Sequence, residues 1–248
     1  MIKLLRRIYS IYAALLFVIS FLLIFPFFLV CIWIPGWKPY GRRINQYWAK
    51  IYFTLIFKPV HLEIRGKINP GQAYIFAANH FSYLDIPMMG FIPGDVQFIG
   101  KASIRKAPLF GYFFKSLHIA VDRSRLKSRA ETMRRAAIAL DEGSGIVIFP
   151  EGGIYTSQPP HMVPFKNGAF KLALDKQIPI IPVTLSFNHL ILPEDGKFLL
   201  DFHRAKMVLH EAIFPEEGAT EESLKNRCFE VIERQLQLDN GVYRKIGN

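Results

Sequence analysis

The N-terminal segment constrains the fold more than any other part of the chain. Residues 8–37 contain no charged side chain, whereas Lys3, Arg6 and Arg7 precede them. An uncharged apolar stretch of this length can cross a bilayer. A cleaved signal peptide is a poor fit, because the stretch is longer than the usual h-region and no small-x-small cleavage site follows it. The sequence therefore predicts a membrane-embedded helical segment.

The flanks of this segment leave its topology open. Basic residues also follow the apolar stretch, namely Lys38, Arg42 and Arg43. The positive-inside rule therefore selects no orientation. Pro26 and the Pro35-Gly36 pair allow a break, so a re-entrant helix is the alternative to a spanning one. Residues 40–58 are amphipathic, with Ile51 among the residues of the apolar side and Arg42 among those of the polar side. This pattern fits an interfacial helix and a core helix equally well.

The composition limits the expected binding partners and argues against nucleic-acid and metal sites. Hydrophobic residues make up 51% of the chain, and the formal net charge is +11. Such a charge suits nucleic acid or an anionic lipid surface, and the apolar N-terminus favours lipid. No nucleic acid partner is expected, because the basic residues are scattered and no DNA-binding motif is present. Neither the two cysteines nor the singly placed histidines have the spacing of metal ligands, so no metal site is predicted.

After Pro59 the sequence alternates short apolar runs with helical stretches. Predicted helices are 128–142, which begins with a Ser128-x-x-Glu131 capping box, 164–177 and 221–237. Predicted strands are 60–65, 73–78, 96–100, 118–121, 145–149, 180–187 and 205–213. This alternation predicts an α/β domain with a mixed, largely parallel sheet flanked by helices. We assign residues 1–58 to N-terminal membrane-anchoring helices and residues 59–248 to this domain.

The first candidate for chemistry follows the second predicted strand. There an apolar run ends in His80, and Asp85 lies five residues further on. Histidine with an orienting carboxylate is the commonest general-base arrangement. A turn is required between the two, since residues five apart on a helix point in different directions. The alternative is structural: Ser82 and Asp85 would form a helix-start box, or Asp85 would itself cap the helix before Ile86-Pro87, and His80 would be an ordinary loop histidine.

Two further loops and one helix start carry charge near predicted strand ends. Asp122-Arg123 follows the fourth strand and could hold a phosphate, or form a surface ion pair. Phe149-Pro150-Glu151-Gly152-Gly153 follows the fifth strand. Its Glu151 could anchor backbone amides or meet a substrate hydroxyl, although Pro-Glu-Gly is also ordinary turn chemistry. Lys166 precedes a helix start, where it could assist anion binding or simply be solvated.

Taken together and in order, these blocks resemble the 1-acylglycerol-3-phosphate O-acyltransferase family, which is defined by a His-x4-Asp motif. The resemblance covers residues 60–187, and the N-terminal apolar segment agrees with the bacterial members. The matching blocks are Asn79-His80-x4-Asp85, the Asp122-Arg123 pair, Phe149-Pro150-Glu151-Gly152, Ile181-Pro182-Val183 and Phe165-Lys166-x-Gly168-Ala169.

The resemblance implies roles for single residues. His80 would deprotonate the hydroxyl of a lysolipid, and Asp85 would hold the imidazole in the required tautomer. Substrate-binding positions would be Asn79, Lys101, Arg123, Glu151, Gly152 and Lys166, with Arg123 and the two lysines holding the acceptor's phosphate. The acceptor hydroxyl would attack an acyl thioester directly, so acyl-ACP or acyl-CoA is the expected co-substrate and no cofactor is expected.

One position departs from the family pattern. The third motif usually continues with Thr-Arg, and its arginine is linked to phosphate recognition, but here Ile154 stands in its place. The expected activity is acylation of 1-acyl-glycerol-3-phosphate to phosphatidic acid. Acylation of another lysolipid, including an amino-acid-containing one, is the first alternative, and a non-catalytic anionic-lipid-binding protein is the second. A lipid hydrolase is disfavoured because no Gly-x-Ser-x-Gly elbow is present. The resemblance implies a location at the cytoplasmic face of the bacterial inner membrane.

Overall fold

The computed structural model describes residues 2–122, 125–156 and 158–246. Two long helices open the chain, α1 (Ile2–Trp33) and α2 (Lys38–Leu55). A seven-stranded sheet follows, in the order β1-β7-β6-β2-β5-β3-β4. Its strands are β1 (Val60–Ile64), β2 (Ile75–Ala78), β3 (Val96–Lys101), β4 (Ile119–Val121), β5 (Gly145–Ile148), β6 (Ile180–Leu185) and β7 (Ala205–Leu209).

The sheet is mixed and largely parallel, as the sequence predicts. Neighbouring strands run parallel except for β6 and β7, which are antiparallel. The remaining helices are α3 (Asp85–Met88), α4 (Phe110–Leu117), α5 (Leu126–Asp141), α6 (Gly168–Lys176), α7 (Asn188–Ile191) and α8 (Glu221–Ile246), with 3-10 turns at Met89–Phe91 and Ala102–Lys106. All seven predicted strands are confirmed, with ends that differ by a few residues.

Helices cover both faces of the sheet and form two hydrophobic clusters. Successive residues of β2 point to opposite faces, so Ile75 packs with α5, α6 and α8 while Phe76 packs with α1, α2 and α4. Both are fully buried. Strands with two covered faces explain the continuous apolar runs in the sequence.

The helix α1 lies along the side of the α/β domain. Near its start the Arg6 guanidinium donates to the carbonyl of Leu200 at 3.3 Å and lies 3.3 Å from the Asp201 carboxylate. At its end the Trp33 indole donates to the Tyr112 hydroxyl at 2.9 Å. Pro26 lies inside the helix without ending it. Among the described residues, α1 is the one helix long and apolar enough to cross a membrane.

The structure decides between the two interpretations of α2. The helix packs as a core helix, because Trp48, Tyr52 and Phe53 are buried against α1 and the sheet. Arg42, which the periodicity places on the polar side, is also buried, where it pairs with Asp95 and Ser144. Ile51, on the predicted apolar side, is exposed. The carboxylate of Asp95, which lies just before β3, has thus overridden the sequence pattern at Arg42.

The predicted capping box at the start of α5 is wrong. The helix begins at Leu126, before Ser128, and the Ser128 hydroxyl accepts a hydrogen bond from the Asp122 backbone N–H at 2.9 Å. Glu131 instead pairs with Arg134 on the helix surface. Ser128 therefore ties the loop after β4 to the helix without capping it.

Candidate active site

The candidate site lies at one edge of the sheet, where the central strands β2, β5 and β6 end. Because these three strands are parallel, the loops that follow them meet at the same edge. Two of these loops carry predicted motifs, since Asn79 to Asp85 follow β2 and Phe149 to Gly153 follow β5. The third, which begins with Ser186 and leads to Asn188, follows β6 and contains no predicted motif. The fold thus brings together residues that lie more than 100 positions apart in sequence.

His80 and Asp85 form a buried hydrogen-bonded pair. The loop turns between them as the spacing requires, so that His80 Nδ1 lies 2.9 Å from Asp85 Oδ2. The imidazole stacks on the ring of Phe149 at 4.1 Å. With Nδ1–H donated to the carboxylate, the lone pair of the neutral ring is on Nε2. His80 lines a cavity of about 400 Å³, and its Nε2 makes no hydrogen bond with the described residues.

The Asp85 carboxylate is fully buried and is held by several donors. Oδ2 also accepts from the backbone N–H groups of Phe81 at 2.8 Å and Ser82 at 2.9 Å. Oδ1 accepts from the side-chain amide of Asn188 at 2.8 Å. The predicted helix-start box does not form, because α3 begins at Asp85 itself and no side chain caps it. Asp85 instead closes the turn that precedes α3 and orients His80.

Asn79 has a different environment from the predicted one. The sequence predicts a substrate contact, whereas the carboxamide is fully buried and bonds in both directions to Leu185. Its nitrogen donates to the Leu185 carbonyl at 3.1 Å, and its oxygen accepts from the Leu185 N–H at 2.8 Å. These bonds extend the pairing of β2 with β6 by one side chain. Asn79 therefore fixes the position from which the His80 loop departs.

Glu151 is likewise buried, and it anchors backbone amides. Oε1 accepts from the His80 N–H at 2.7 Å, and Oε2 accepts from the Val163 N–H at 3.2 Å. Burial raises the pKa of this carboxyl to about 7, although the two amide hydrogen bonds oppose the shift. Of the two roles that the sequence leaves open, the structure shows amide anchoring, which holds the β5 loop against the His80 loop.

The cavity beside His80 is mainly apolar and carries few charges. Its polar and charged lining residues include Lys101, Ser103 and Glu194. Ile154 lies in its wall, at the position where the family has arginine. Such a cavity suits a ligand with a long apolar part and a small polar group.

The other predicted basic residues differ in their placement. Lys166 is exposed, and its ammonium lies 5.5 Å from the centre of the Tyr155 ring, at the rim of the cavity. Gly152 allows this approach: its φ is +86°, and a methyl group there would lie 2.3 Å from Lys166 Nζ. Arg123 lies outside the described residues, while its neighbour Asp122 lies 3.4 Å from Arg125 in a surface pair.

Sequence reasoning missed two residues of the site. Asn188, the first residue of α7, donates to Asp85, and Glu194 lines the cavity from the segment that follows α7. Neither belongs to a motif with a recognisable spacing. The sequence offers one indication for Asn188. This polar residue follows a continuous apolar run, which forms a fully buried strand, and a buried polar side chain needs a hydrogen-bond partner.

Comparison with known proteins places these features in a family. A sequence model of the family described as acyltransferase matches residues 60–186, which is just over half of the chain. An uncharacterized acyltransferase of Schizosaccharomyces pombe is 33% identical over 203 residues, covering 79% of this chain and 71% of the relative. A chloroplastic 1-acyl-sn-glycerol-3-phosphate acyltransferase of Arabidopsis thaliana is 25% identical over 205 residues, covering 81% of this chain and 56% of the relative.

The fold also has a solved counterpart. The crystal structure of the 1-acyl-sn-glycerophosphate acyltransferase PlsC from Thermotoga maritima superimposes with a TM-score of 0.80 at 22% identity, covering 97% of this chain and 98% of that one. The likeness includes the N-terminal helices as well as the sheet, since nearly the whole chain is aligned. Against the first curated relatives the chain is shorter, spanning between 52% and 64% of their lengths.

Proposed function

The chain belongs to the acyltransferase family, and on that premise we propose that it transfers a fatty acyl chain from an acyl thioester to the free hydroxyl of 1-acyl-glycerol-3-phosphate. The product is phosphatidic acid. The observation that carries the proposal is the His80–Asp85 pair, whose Nε2 is unpaired among the described residues and whose ring lines a largely apolar cavity. The related 1-acyl-sn-glycerol-3-phosphate acyltransferases supply the acceptor by analogy.

In the proposed reaction His80 acts first as a base and then as an acid. Nε2 takes the proton of the acceptor hydroxyl while the oxygen attacks the thioester carbonyl carbon. Asp85 stabilises the imidazolium that forms and keeps Nδ1 protonated throughout. As the tetrahedral intermediate collapses, the C–S bond breaks and the thiolate leaving group takes the proton from Nε2. A thioester of acyl carrier protein or coenzyme A satisfies this scheme.

The acceptor's phosphate requires cationic contacts. Lys101 lines the cavity beside His80, and the Lys166 ammonium lies 5.5 Å from the centre of the Tyr155 ring, which also lines it. This proximity supports a contact of both lysines with the phosphate of an acceptor whose hydroxyl is at Nε2. Asn79 and Glu151 support these contacts indirectly, because they fix the two loops of the site. We propose phosphate binding for Lys101 and Lys166, and positioning roles for Asn79 and Glu151.

A second acceptor class is favoured by one specific observation. Glu194 contributes a carboxylate to the same cavity in which Ile154 replaces the family arginine. A carboxylate repels a phosphate and attracts an ammonium group. An amino-acid-containing lysolipid, with its free amino group near Glu194 and its hydroxyl at His80, is therefore the alternative acceptor.

We propose that the protein associates with one leaflet of a membrane without crossing it. At 1.5 Å per residue, α1 is about 48 Å long, yet its two ends contact the same α/β domain through Arg6 and Trp33. A helix held in this way cannot pass through a bilayer that leaves the domain on one side. Its outward face is apolar, with Leu15, Leu23 and Phe27 exposed. By its resemblance to bacterial members, we place the protein at the cytoplasmic face of the inner membrane.

A lysolipid panel tests the proposal. Purified protein in mixed micelles is given a palmitoyl thioester of acyl carrier protein or of coenzyme A, together with either 1-acyl-glycerol-3-phosphate or an amino-acid-containing lysolipid. Products are identified by mass. His80→Ala should abolish transfer while leaving the thermal midpoint and vesicle binding close to those of the unmodified protein. Lipid binding without turnover on any acceptor, or full activity of His80→Ala, would refute the assignment.

A further inference from the structure

A closed surface loop, formed by residues 192–200, follows the short helix α7. The ends of the loop meet, because the Asp201 N–H donates to the Ile191 carbonyl at 2.7 Å. Residues 194–198, at the tip of the loop, are exposed. Compact surface loops whose ends are close together frequently serve a function.

One side of the loop is attached to α1. The Leu200 N–H donates to the Ser10 hydroxyl at 2.8 Å. Just beyond the loop, the Phe202 ring stacks on Tyr9 at 5.2 Å and is 62% exposed. Ile8, the neighbour of Tyr9 in α1, is exposed as well. The apolar surface of α1 therefore continues onto Phe202.

The other side of the loop lies at the mouth of the cavity beside His80. The Phe198 ring stacks on the Tyr83 ring at 5.7 Å. Tyr83 lines this cavity and is also 46% exposed, so it lies where the cavity opens to the outside. The Ser82 hydroxyl donates to the Leu192 carbonyl at 2.8 Å and ties the loop to the residues that follow His80. The loop thus connects the apolar surface of α1 with the cavity mouth.

Two properties of Phe198 are unusual for a residue in an exposed loop. Its ring is 60% exposed, although water is an unfavourable environment for an aromatic hydrocarbon. Its φ is +51°, a left-handed conformation that bulky residues rarely adopt and that glycine or asparagine adopts more readily. Those residues would serve better if this position only had to form a turn. Contact of the ring with hydrocarbon accounts for a phenylalanine here.

A lipid leaflet is the partner that this surface fits. The proposed position of α1 on one leaflet brings Phe202 and Phe198 to the same leaflet, because the loop is hydrogen-bonded to α1 through Leu200. An acceptor lipid that leaves the leaflet here passes the rings of Phe198 and Tyr83 before its hydroxyl reaches His80. This path keeps its acyl chain in contact with apolar groups instead of water.

We infer that the loop 192–200 is a second membrane-contacting element, in which Phe198 and Tyr83 guide the acyl chain of the acceptor from the leaflet into the cavity. The inference rests on the proposed acyl transfer and on the proposed membrane association of α1. It adds a contact with lipid outside α1 and an entrance to the site. Phe198 has no part in the chemical step.

A fluorescent label tests the contact with lipid directly. Cys31 and Cys228 are buried, so a thiol introduced by Phe198→Cys can be labelled selectively with an environment-sensitive dye. Phe214→Cys is the matched control, because Phe214 is 52% exposed but lies near the start of β6, at the edge of the sheet opposite the site.

On vesicle-bound protein the label at residue 198 should shift its emission to the blue and be quenched by nitroxide-bearing lipids. The label at residue 214 should show neither effect. A label at residue 198 that remains in water while the protein is bound to vesicles would overturn the inference, as would a protein that does not bind vesicles.

Kinetic measurements test the guiding role. Values of kcat/KM are compared for a long-chain acceptor embedded in vesicles and for a short-chain acceptor that stays monomeric in water, with enough vesicles to bind all of the protein. Phe198→Asn removes the ring and tolerates a positive φ, so it should fold at least as well as the unmodified protein. Phe198→Trp keeps an aromatic ring, and Phe214→Asn is the control.

We expect Phe198→Asn to lower kcat/KM for the vesicle acceptor about fivefold to tenfold, since one aromatic contact with hydrocarbon is lost. The value for the short-chain acceptor should not change. Phe198→Trp should keep most of the activity and Phe214→Asn all of it. If Phe198→Asn affects neither acceptor, affects both equally, or only dissociates a dimer of the protein, the inference is wrong and the proposed function stands. Absence of transfer to either acceptor by the unmodified protein overturns both.

Discussion

Replacing Asn188 by leucine separates the positioning of Asp85 from the stability of the fold. The Asn188 amide nitrogen donates to Asp85 Oδ1 at 2.8 Å and lies 3.1 Å from the sulfur of Met88. Its own carbonyl oxygen is buried and has no partner among the described residues. Leucine has a similar volume, removes both polar atoms and can pack against Met88.

The two polar atoms have opposite effects on stability. Loss of a hydrogen bond to a charged acceptor costs about 1.5–3 kcal/mol, whereas removal of an unpaired buried oxygen recovers about 1–3 kcal/mol. The two effects largely offset each other, so the free energy of unfolding should change by no more than about 2 kcal/mol. Catalysis has no such compensation, because Asp85 loses the donor that fixes its second oxygen. A loss of about 1.5–3 kcal/mol in the transition state lowers kcat about 10- to 100-fold.

The assay measures kcat, KM and the thermal midpoint of the same preparations. For Asn188→Leu we expect a lower kcat with KM and thermal midpoint nearly unchanged. Asn188→Asp is the matched variant, since it keeps the shape but places a carboxylate against Asp85 and should lower both activity and stability. If Asn188→Leu keeps full activity, or if its activity falls only in proportion to its stability, the positioning role is refuted.

Three further predictions concern charge and backbone. Gly152→Ala should lower both stability and acyl transfer, because residue 152 has a φ of +86° and the added methyl group would clash with Lys166. Gly143→Ala is the control: residue 143 has a φ of +84° with open space around it, so the substitution should lower only stability, by about 1 kcal/mol. Burial lowers the pKa of His118 to about 3 and of His189 and His210 to about 4, so the unfolded chain takes up these protons first as pH falls below 6.5. The free energy of unfolding should therefore fall between pH 6.5 and pH 5, by about 2 kcal/mol per histidine at pH 5, and the thermal midpoint should fall with it. His210→Gln should weaken this pH dependence, and an unchanged dependence in that variant would contradict the prediction. Glu151 has the opposite effect on the pH dependence of stability, because its pKa is raised to about 7 in the folded protein. The stability that it contributes is lost as pH rises from 4.5 to 7, and Glu151→Gln should flatten the plot of thermal midpoint against pH in that range.

The pattern of apolar runs is sufficient to predict the sheet of this protein. Strands covered on both faces favour apolar runs, and each of the seven runs predicted as a strand after Pro59 is a strand of the structure. Helix boundaries are less well predicted, as the start of α5 shows. There Ser128 has two uses, as a cap or as an acceptor for the Asp122 N–H, and only the path of the preceding loop decides between them.

The contacts of the candidate site are likewise predictable from the sequence only in part. His80 and Asp85 can be paired from sequence alone, because both lie in one short loop and a turn brings them together. The partners of Glu151 and Asn188 cannot, since each contact joins loops far apart in the chain. Local spacing contains no information about a hydrogen bond of this kind, which depends on how the ends of β2, β5 and β6 align in the sheet.

The N-terminal helix α1 shows most clearly what the sequence determines and what the tertiary structure determines. Its composition alone determines that α1 is long and apolar enough to cross a membrane, because no charged residue interrupts residues 8–33. Its orientation depends on contacts that composition does not contain: Arg6 reaches Leu200, and Trp33 reaches Tyr112. Hydrophobicity is a property of each residue and can be summed along the chain, whereas the placement of a helix depends on partners that only the folded sheet brings within reach.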